Sequence, residues 1–402
     1  MTRLGLSDEL LDAQLLRAVG AGLYGGADIG ECLQAAQSVK GTDLDSWFDA
    51  WVRLADQTQE LACAEEEAGH RESARAAYLR ASTYYRTAGV MLFAAKADPR
   101  QRVSNVQQTQ MFRRAAALLD IPAEVLQIPF EDTTLPGYFF KPGHDVVPRA
   151  TVVLTGGYDG TCEELYFSNG AAALARGYNV LAFDGPGQGA ALLQQGLVLR
   201  PDWESVIIPV IDYAISRPDV DPQRIALIGL SLGAHLAPRA ASQEHRIAAL
   251  IADCGSLDLQ AAFLGRLPPL LASRYTAGKR GSRTVLAAVL RMVARKPTVG
   301  WALRRGQLAH GVTSPMAYVD ALGAYALAGH AGQITCPTWV CNAEGDDIGA
   351  SAPDLVTALN VDPHFVQFTI AEGAGDHCEQ GARALYHARA FGWLDDILQP
   401  QR

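Results

Sequence analysis

The periodicity of hydrophobic and polar positions changes along this chain. Over residues 1–122 apolar side chains recur at helical spacing, as in Trp47-Phe-Asp-Ala-Trp-Val-Arg-Leu-Ala55 and Ala74-Arg-Ala-Ala-Tyr-Leu-Arg-Ala-Ser-Thr-Tyr-Tyr-Arg86, with charge on the opposite face. No strand-like alternation interrupts this stretch. The second segment has the small residues between aromatics of a tetratricopeptide helix, yet no repeat of fixed period accompanies it. A helical N-terminal domain, used as a cap or dimerisation layer, is expected over 1–122. From Val125-Leu-Gln-Ile-Pro-Phe130 the pattern turns to strands, and Leu135-Pro-Gly-Tyr-Phe-Phe-Lys-Pro142 reads as the second arm of an antiparallel hairpin.

Short apolar runs then alternate with helical segments, as a mostly parallel sheet flanked by helices requires. They are Ala150–Thr155, Tyr178–Phe183, Arg224–Ile228, Cys336–Cys341 and Phe365–Ile370. Between Cys254 and Cys336 the sheet pattern stops for about eighty residues, too many for a structureless loop in a compact domain. Leu267–Ala272, Thr284–Ala294 and Ala317–Ala326 look like amphipathic helices there, so residues 123–402 are expected to form a second domain with a helical cap inserted at about 257–332. Arg280, Arg283, Arg291, Arg295 and Lys296 make the insertion locally basic, which reads as a solvated face with one arginine available to an anionic substrate.

One of the strand exits carries chemistry. Gly229-Leu-Ser-Leu-Gly233 follows the run Arg224–Ile228 and precedes the helix-prone Ala234–Ala241, which makes it a G-x-S-x-G nucleophile elbow and the fold an α/β-hydrolase. A serine hydroxyl needs a base, and the base needs an acid that orients it. In this fold the chain order is serine, acid, histidine. His377 lies on the turn after Phe365–Ile370 and is the candidate base. Glu344, Asp346 and Asp347 share the loop after Cys336–Cys341; Asp346 stands at the usual distance past the strand, with Asp347 as the alternative. Of the other histidines, His235 follows Ser231 by four residues and is expected to pack rather than react.

Acyl transfer also needs N–H donors aimed at the developing oxyanion. The Leu232 N–H comes with the elbow, and the loop Gly156-Gly-Tyr-Asp-Gly160 offers that of Tyr158, or of Gly157 beside it. The turn Asp184-Gly-Pro-Gly-Gln-Gly189 lacks the full G-x-G-x-x-G and a following Walker lysine, so it reads as structural.

These segments carry a resemblance. Gly156-Gly-Tyr-Asp-Gly-Thr-Cys-Glu-Glu-Leu-Tyr-Phe167, Phe183–Gly189, Gly229–Gly233, Glu372-Gly-Ala-Gly-Asp-His-Cys378 and, upstream, Ala68–Ser82 resemble the α/β-hydrolases related to 2,6-dihydroxypseudooxynicotine hydrolase. That group is similar to the fermentation-respiration switch proteins and to fungal polyketide-shortening hydrolases. The resemblance implies a substrate-contacting acid directly after the oxyanion segment, here Asp159, the shorter of the two acids, with Gly157 beside it. Burial is expected to raise the Asp159 pKa so that it holds a substrate amine or hydroxyl, or delivers a proton to a leaving group. The resemblance also implies a homodimer and admits cleavage of a carbon–carbon bond next to a ketone.

Charge and cysteine usage narrow the setting. With 34 Lys plus Arg against 43 Asp plus Glu there is no basic excess for nucleic acid. No run has the length and apolarity of a signal or membrane span. The seven scattered cysteines are expected to be free thiols without zinc, Cys336 and Cys341 lacking a second pair at metal spacing, which gives a cytoplasmic setting. The expectation is a cofactor-free serine hydrolase of a medium-sized, partly apolar small molecule, cleaving an ester, an amide or a ketone-adjacent carbon–carbon bond. The alternatives are an acyltransferase or cyclase on the same triad, and a non-catalytic scaffold.

Overall fold

The structure, a computed structural model, describes residues 2–93 and 98–400. Its centre is one eight-stranded sheet in the order β1-β2-β4-β3-β5-β6-β7-β8. The strands are β1 (Glu124–Phe130), β2 (Thr133–Phe140), β3 (Arg149–Thr155), β4 (Asn179–Phe183), β5 (Val220–Leu230), β6 (Ala249–Asp253), β7 (Thr338–Ala343) and β8 (His364–Phe368). β2 runs antiparallel to β1 and to β4, and every pairing from β4 to β8 is parallel. This is the sheet of an α/β-hydrolase.

Alternate residues of the central strands face opposite layers, as the two-residue period of a strand requires. Val152, Leu154, Ala226, Ile228 and Ile251 join a core shared with the N-terminal helices and with the last helix, Arg383–Leu398. Val153, Leu227, Leu250 and Ala252 join one built with helices Glu204–Ile215 and Gly233–Ala241. Both faces are therefore covered, which is why these strands read as continuous apolar runs.

Among the described residues, five longer helices precede β1: Glu9–Gly20, Ile29–Gln37, Leu44–Glu67, Arg71–Val90 and Pro99–Ala117. Five more lie between β6 and β7: Leu259–Leu264, Pro269–Thr276, Ser282–Val293, Pro297–Ala309 and Pro315–Leu322. The inserted helices have a small core of their own around Leu286, Leu290, Leu303 and Val319. Sequence periodicity finds three of them and passes over Leu259–Leu264 and Pro297–Ala309. No helix among the described residues is long and apolar enough to cross a membrane.

Candidate active site

The chain leaves β3 to one side, through β4, and β5 to the other, through β6, so a crevice opens beyond the carboxyl ends of β3 and β5. The two loops at this switch point are Gly156–Gly160 and the elbow at Ser231. The elbow is sterically exacting: a Cβ on Gly229 would collide with the Gly233 carbonyl, and one on Gly233 with that of Thr155. Ser231 itself has φ +59°, a left-handed conformation that costs a non-glycine residue free energy and is kept here by the packing of strand against helix. Its N–H donates to the Asp253 carbonyl at 3.1 Å.

That conformation aims the Ser231 hydroxyl at His377, with Oγ 2.8 Å from Nε2. On the other side of the ring, Nδ1 is 2.7 Å from Asp346 Oδ2. Asp346 also accepts the Ile348 N–H at 2.8 Å, so its carboxylate is held from two directions. Burial would raise the Asp346 pKa, but the His377 charge and hydrogen bond bring it below the usual carboxylate range. The same burial would lower that of His377; the negative charges of an ionised Cys378 and of the Asp346 carboxylate beside it reverse this and hold it well above its ordinary value. Asp347 is exposed, its carbonyl taking a hydrogen bond from Arg266, and Glu344 binds the Ile370 N–H. Of the three loop carboxylates, Asp346 meets the imidazole.

Gly157 packs directly against the nucleophile: a Cβ there would stand 2.9 Å from Ser231 Cβ and 3.2 Å from Oγ. Among the described residues the N–H groups of Leu232, Gly157 and Tyr158 donate to no other group, as oxyanion donors must remain free to do. The Tyr158 side chain touches all three apolar cores. Its hydroxyl is 2.8 Å from His310 Nε2 and receives the Tyr318 hydroxyl at 3.4 Å. Burial holds the phenol proton on and lowers His310 to about 4, so this contact is neutral at physiological pH.

Asp159 departs from expectation. Its side chain is only 8 % exposed, and three arginines surround it: Arg17 at 3.1 Å, Arg305 at 3.6 Å and Arg86 at 3.7 Å. Burial alone would raise its pKa, but Arg17, Arg305 and Arg86 together take it far below the ordinary range. It is a fixed anion, not a group that can deliver a proton near neutral pH. The same cluster includes Glu164, bound by Arg17 through Nε at 2.5 Å and Nη2 at 2.6 Å. Arg86 is lowered to about 10 by burial and by Arg17. The inserted arginine that meets this acid is Arg305, stacked on Tyr158 and Trp301 with ring-centroid distances of 4.8 and 4.5 Å. It is none of the five basic residues singled out in the sequence; Arg283, for example, pairs with Asp320 at the surface.

Other expectations find their places. His235 is buried with Nδ1 3.0 Å from the Ser256 carbonyl, and burial lowers it to about 4, a packing residue. Asp184 binds the N–H groups of Cys162 and Ala190, each at 2.7 Å, and Gln188 Nε2 donates to Gly156 O at 2.7 Å, so the Asp184–Gly189 turn braces the Gly156–Gly160 loop. Among the described residues, three clusters bring ligand-type atoms within 4.8 Å of one another: Cys254, His377 and Cys378; Cys162, Glu163 and Asp184; and Asp253, Cys341 and Glu379. Protein contacts occupy each one. His377 faces Ser231 and Asp346, Asp184 caps backbone, and Arg383 binds Asp253 at 2.7 Å and Glu379 at 3.5 Å.

The family is shown by sequence. A model described as Esterase FrsA-like matches residues 34–258, more than half of the chain, and one described as Serine aminopeptidase, S33 matches residues 147–375. The chain belongs to the FrsA-like hydrolases. Hydrolase LUC6 of Fusarium sp is 34% identical over 405 residues, covering 97% of this chain and 96% of its own. The 20-hydroxy-prefusarin hydrolase FUS2 of Gibberella moniliformis is 33% identical over 418 residues and covers 98% of each. Among solved structures, 2,6-dihydroxy-pseudo-oxynicotine hydrolase superposes with a TM-score of 0.75 at 23% identity, covering 94% of this chain and 95% of that one. As an FrsA-like α/β-hydrolase with hydrolases for relatives, the chain is an enzyme of the hydrolase class.

Proposed function

We propose that this FrsA-like enzyme is a serine hydrolase that works through an acyl-enzyme. The observation that carries the reading is the unbroken contact chain from Ser231 Oγ through His377 to Asp346, at 2.8 and 2.7 Å, on a serine with φ +59°. Ser231 attacks the substrate carbonyl as His377 Nε2 takes its proton, and Asp346 stabilises the imidazolium. The N–H of Leu232, with that of Tyr158 or of Gly157, receives the oxyanion. His377 returns the proton to the leaving oxygen, nitrogen or carbon, and water then attacks the acyl-serine by the same route in reverse. The aromatic wall of Tyr158, Tyr318 and His310 suits a medium-sized, partly apolar small molecule. The names of two relatives, which specify 20-hydroxy-prefusarin and 2,6-dihydroxy-pseudo-oxynicotine, support an oxygenated organic substrate.

A fluorophosphonate probe tests the nucleophile. The reading expects stoichiometric labelling mapped to Ser231 and none in Ser231→Ala; an unlabelled native enzyme, or a label elsewhere, overturns it. A labelled-water experiment then separates hydrolysis, whose acid product carries solvent oxygen, from acyl transfer, whose product does not.

A further inference from the structure

Beside the His377 ring lie two thiols that the triad does not use. Cys254 Sγ stands 3.6 Å from His377 Nδ1 and 3.4 Å from Cys378 Sγ. Cys254 follows the last residue of β6 and Cys378 follows His377, so the pair joins the sheet to the histidine turn. Both residues have a left-handed backbone, with φ +59° and +52°. Such a conformation costs a non-glycine residue free energy and persists where the surroundings impose it; here the two residues that bear the cost are the two whose sulfurs meet. Cys254 also packs on the loop of the acid: a Cβ on Gly349 would stand 2.9 Å from Cys254 Cβ and 2.8 Å from Asp346 Oδ2. The thiol pair therefore lies against both the loop that carries Asp346 and the turn that carries His377.

The two sulfurs are unlike. Burial would raise the Cys378 thiol, but the hydrogen bond from Cys254 and the His377 charge bring it below its ordinary value. Burial and the neighbouring Cys378 push Cys254 well above. A thiolate beside a protonated thiol is the arrangement in which one sulfur is oxidised and the second resolves it. Both residues are only 2 % exposed, whereas the His377 side chain in contact with them is 32 % exposed, so an oxidant that reaches them must be about the size of water, as hydrogen peroxide is. The Cys378 thiolate attacks one peroxide oxygen, the O–O bond breaks, and the departing oxygen takes a proton and leaves as water or alcohol. Cys254 Sγ then attacks the resulting sulfenic sulfur, the S–O bond breaks, and hydroxide leaves as water with the Cys254 proton. The two thiols are oxidised by two electrons and the peroxide is reduced by two. A disulfide bond of about 2.05 Å draws the sulfurs together by about 1.4 Å from their 3.4 Å contact. That pull acts on the residue next to His377, whose ring must keep both 2.8 Å to Ser231 Oγ and 2.7 Å to Asp346 Oδ2.

We propose that Cys254 and Cys378 form a modification site, oxidised by a hydroperoxide to a disulfide that disengages His377 and halts turnover until a thiol reduces it. The halt rests on the reading of His377 as the base; the bond between the sulfurs does not. The test treats the native enzyme with hydrogen peroxide, blocks free thiols with iodoacetamide and maps the digest without reductant by mass spectrometry, beside an assay on 4-nitrophenyl butyrate. Expected are peptides joined through Cys254 and Cys378, a loss of turnover of about a hundredfold, the scale of an ångström-sized displacement in an active site, and recovery of both thiols and turnover with dithiothreitol. In Cys254→Ser the joined peptides should be absent and dimedone should capture a Cys378 sulfenic acid, while Cys63→Ser, a half-buried thiol elsewhere, should respond as the native enzyme does. Absence of the joined peptides from oxidised native enzyme overturns the proposal, as does a loss of turnover that dithiothreitol fails to restore. Joined peptides with unchanged turnover would overturn the inactivation, and if His377→Ala then also kept its turnover the base assignment would fall with it. Should the ester not be turned over and Ser231 resist the fluorophosphonate probe, the nucleophile assignment falls, and the peptide map still decides whether the thiols join.

Discussion

At the scale of single residues the site makes sharp demands. Loss of Ser231 or His377 to alanine should lower kcat by several orders of magnitude, because members of such a unit cannot work alone and only oxyanion and binding effects survive. Asp346→Asn should be severe, since a neutral amide cannot stabilise the imidazolium and its NH2 can donate to Nδ1 and fix the wrong tautomer, whereas Asp347→Asn should be mild at its exposed position. The reverse order, read from kcat/KM on one activated ester, would sink the assignment of the acid. A second prediction concerns pH. Cys378 and Asp346 hold the His377 pKa above its ordinary 6.5, and only the neutral ring can accept the serine proton. The rate of acylation should therefore climb as pH rises through a midpoint above that value, and Cys378→Ala should move the midpoint down. An acid limb centred below 6.5, or one that ignores Cys378, would contradict this electrostatic account.

At the scale of elements, most of the sheet could be read because β3, β4 and β7 are short apolar runs leading into glycine-bearing turns, while β6 was passed over; the candidate triad could be read because the fold fixes where its members leave the strands. Of the two inserted helices passed over, Leu259–Leu264 and Pro297–Ala309, the longer resisted for a physical reason. Pro297–Ala309 contains Gly300 and Gly306, which weaken helix propensity, but a Cβ at Gly306 would strike the Tyr318 ring. That glycine answers to packing between two inserted helices, a tertiary demand invisible to local periodicity, so the helix bringing Trp301 and Arg305 to the site went unread, as did His310 at its C-terminal cap. The third prediction follows from Gly306. Gly306→Ala would favour an isolated helix by about 1 kcal/mol. In the protein it should instead displace Tyr318, and with it the hydroxyl contact to Tyr158, lowering both melting temperature and kcat/KM while Ser231 still labels. A more stable variant of unchanged activity would show that the inserted helices do not bear on the Gly156–Gly160 loop.

At the scale of the whole molecule, Asp159 ties three parts together. Arg17 comes from helix Glu9–Gly20, Arg86 from Arg71–Val90 and Arg305 from Pro297–Ala309, and all three converge on one carboxylate of the Gly156–Gly160 loop. The sequence marked this residue, but its surroundings are assembled from positions 17, 86 and 305, which no local pattern relates. Removing the charge leaves buried guanidinium groups short of a counter-ion, a change that commonly costs about 3–5 kcal/mol. Glu164 retains part of the balance for Arg17, so Arg305→Met, which leaves Asp159 two partners, should be milder than Asp159→Asn. The pH sense follows from the depressed pKa. Asp159 contributes its full stabilisation above the unfolded carboxylate value near 3.8 and loses it as pH falls through the lower folded value, so wild type and Asp159→Asn should converge in stability only in strong acid. Activity should follow the loop. Because Asp159 stays ionised and donates no proton, Asp159→Asn should depress turnover of an activated aryl ester and of a substrate with a poor leaving group by similar factors, measured on preparations whose serines are counted by probe. Selective loss on the poor leaving group alone, with melting temperature unchanged, would return Asp159 to the chemistry and remove it from the architecture.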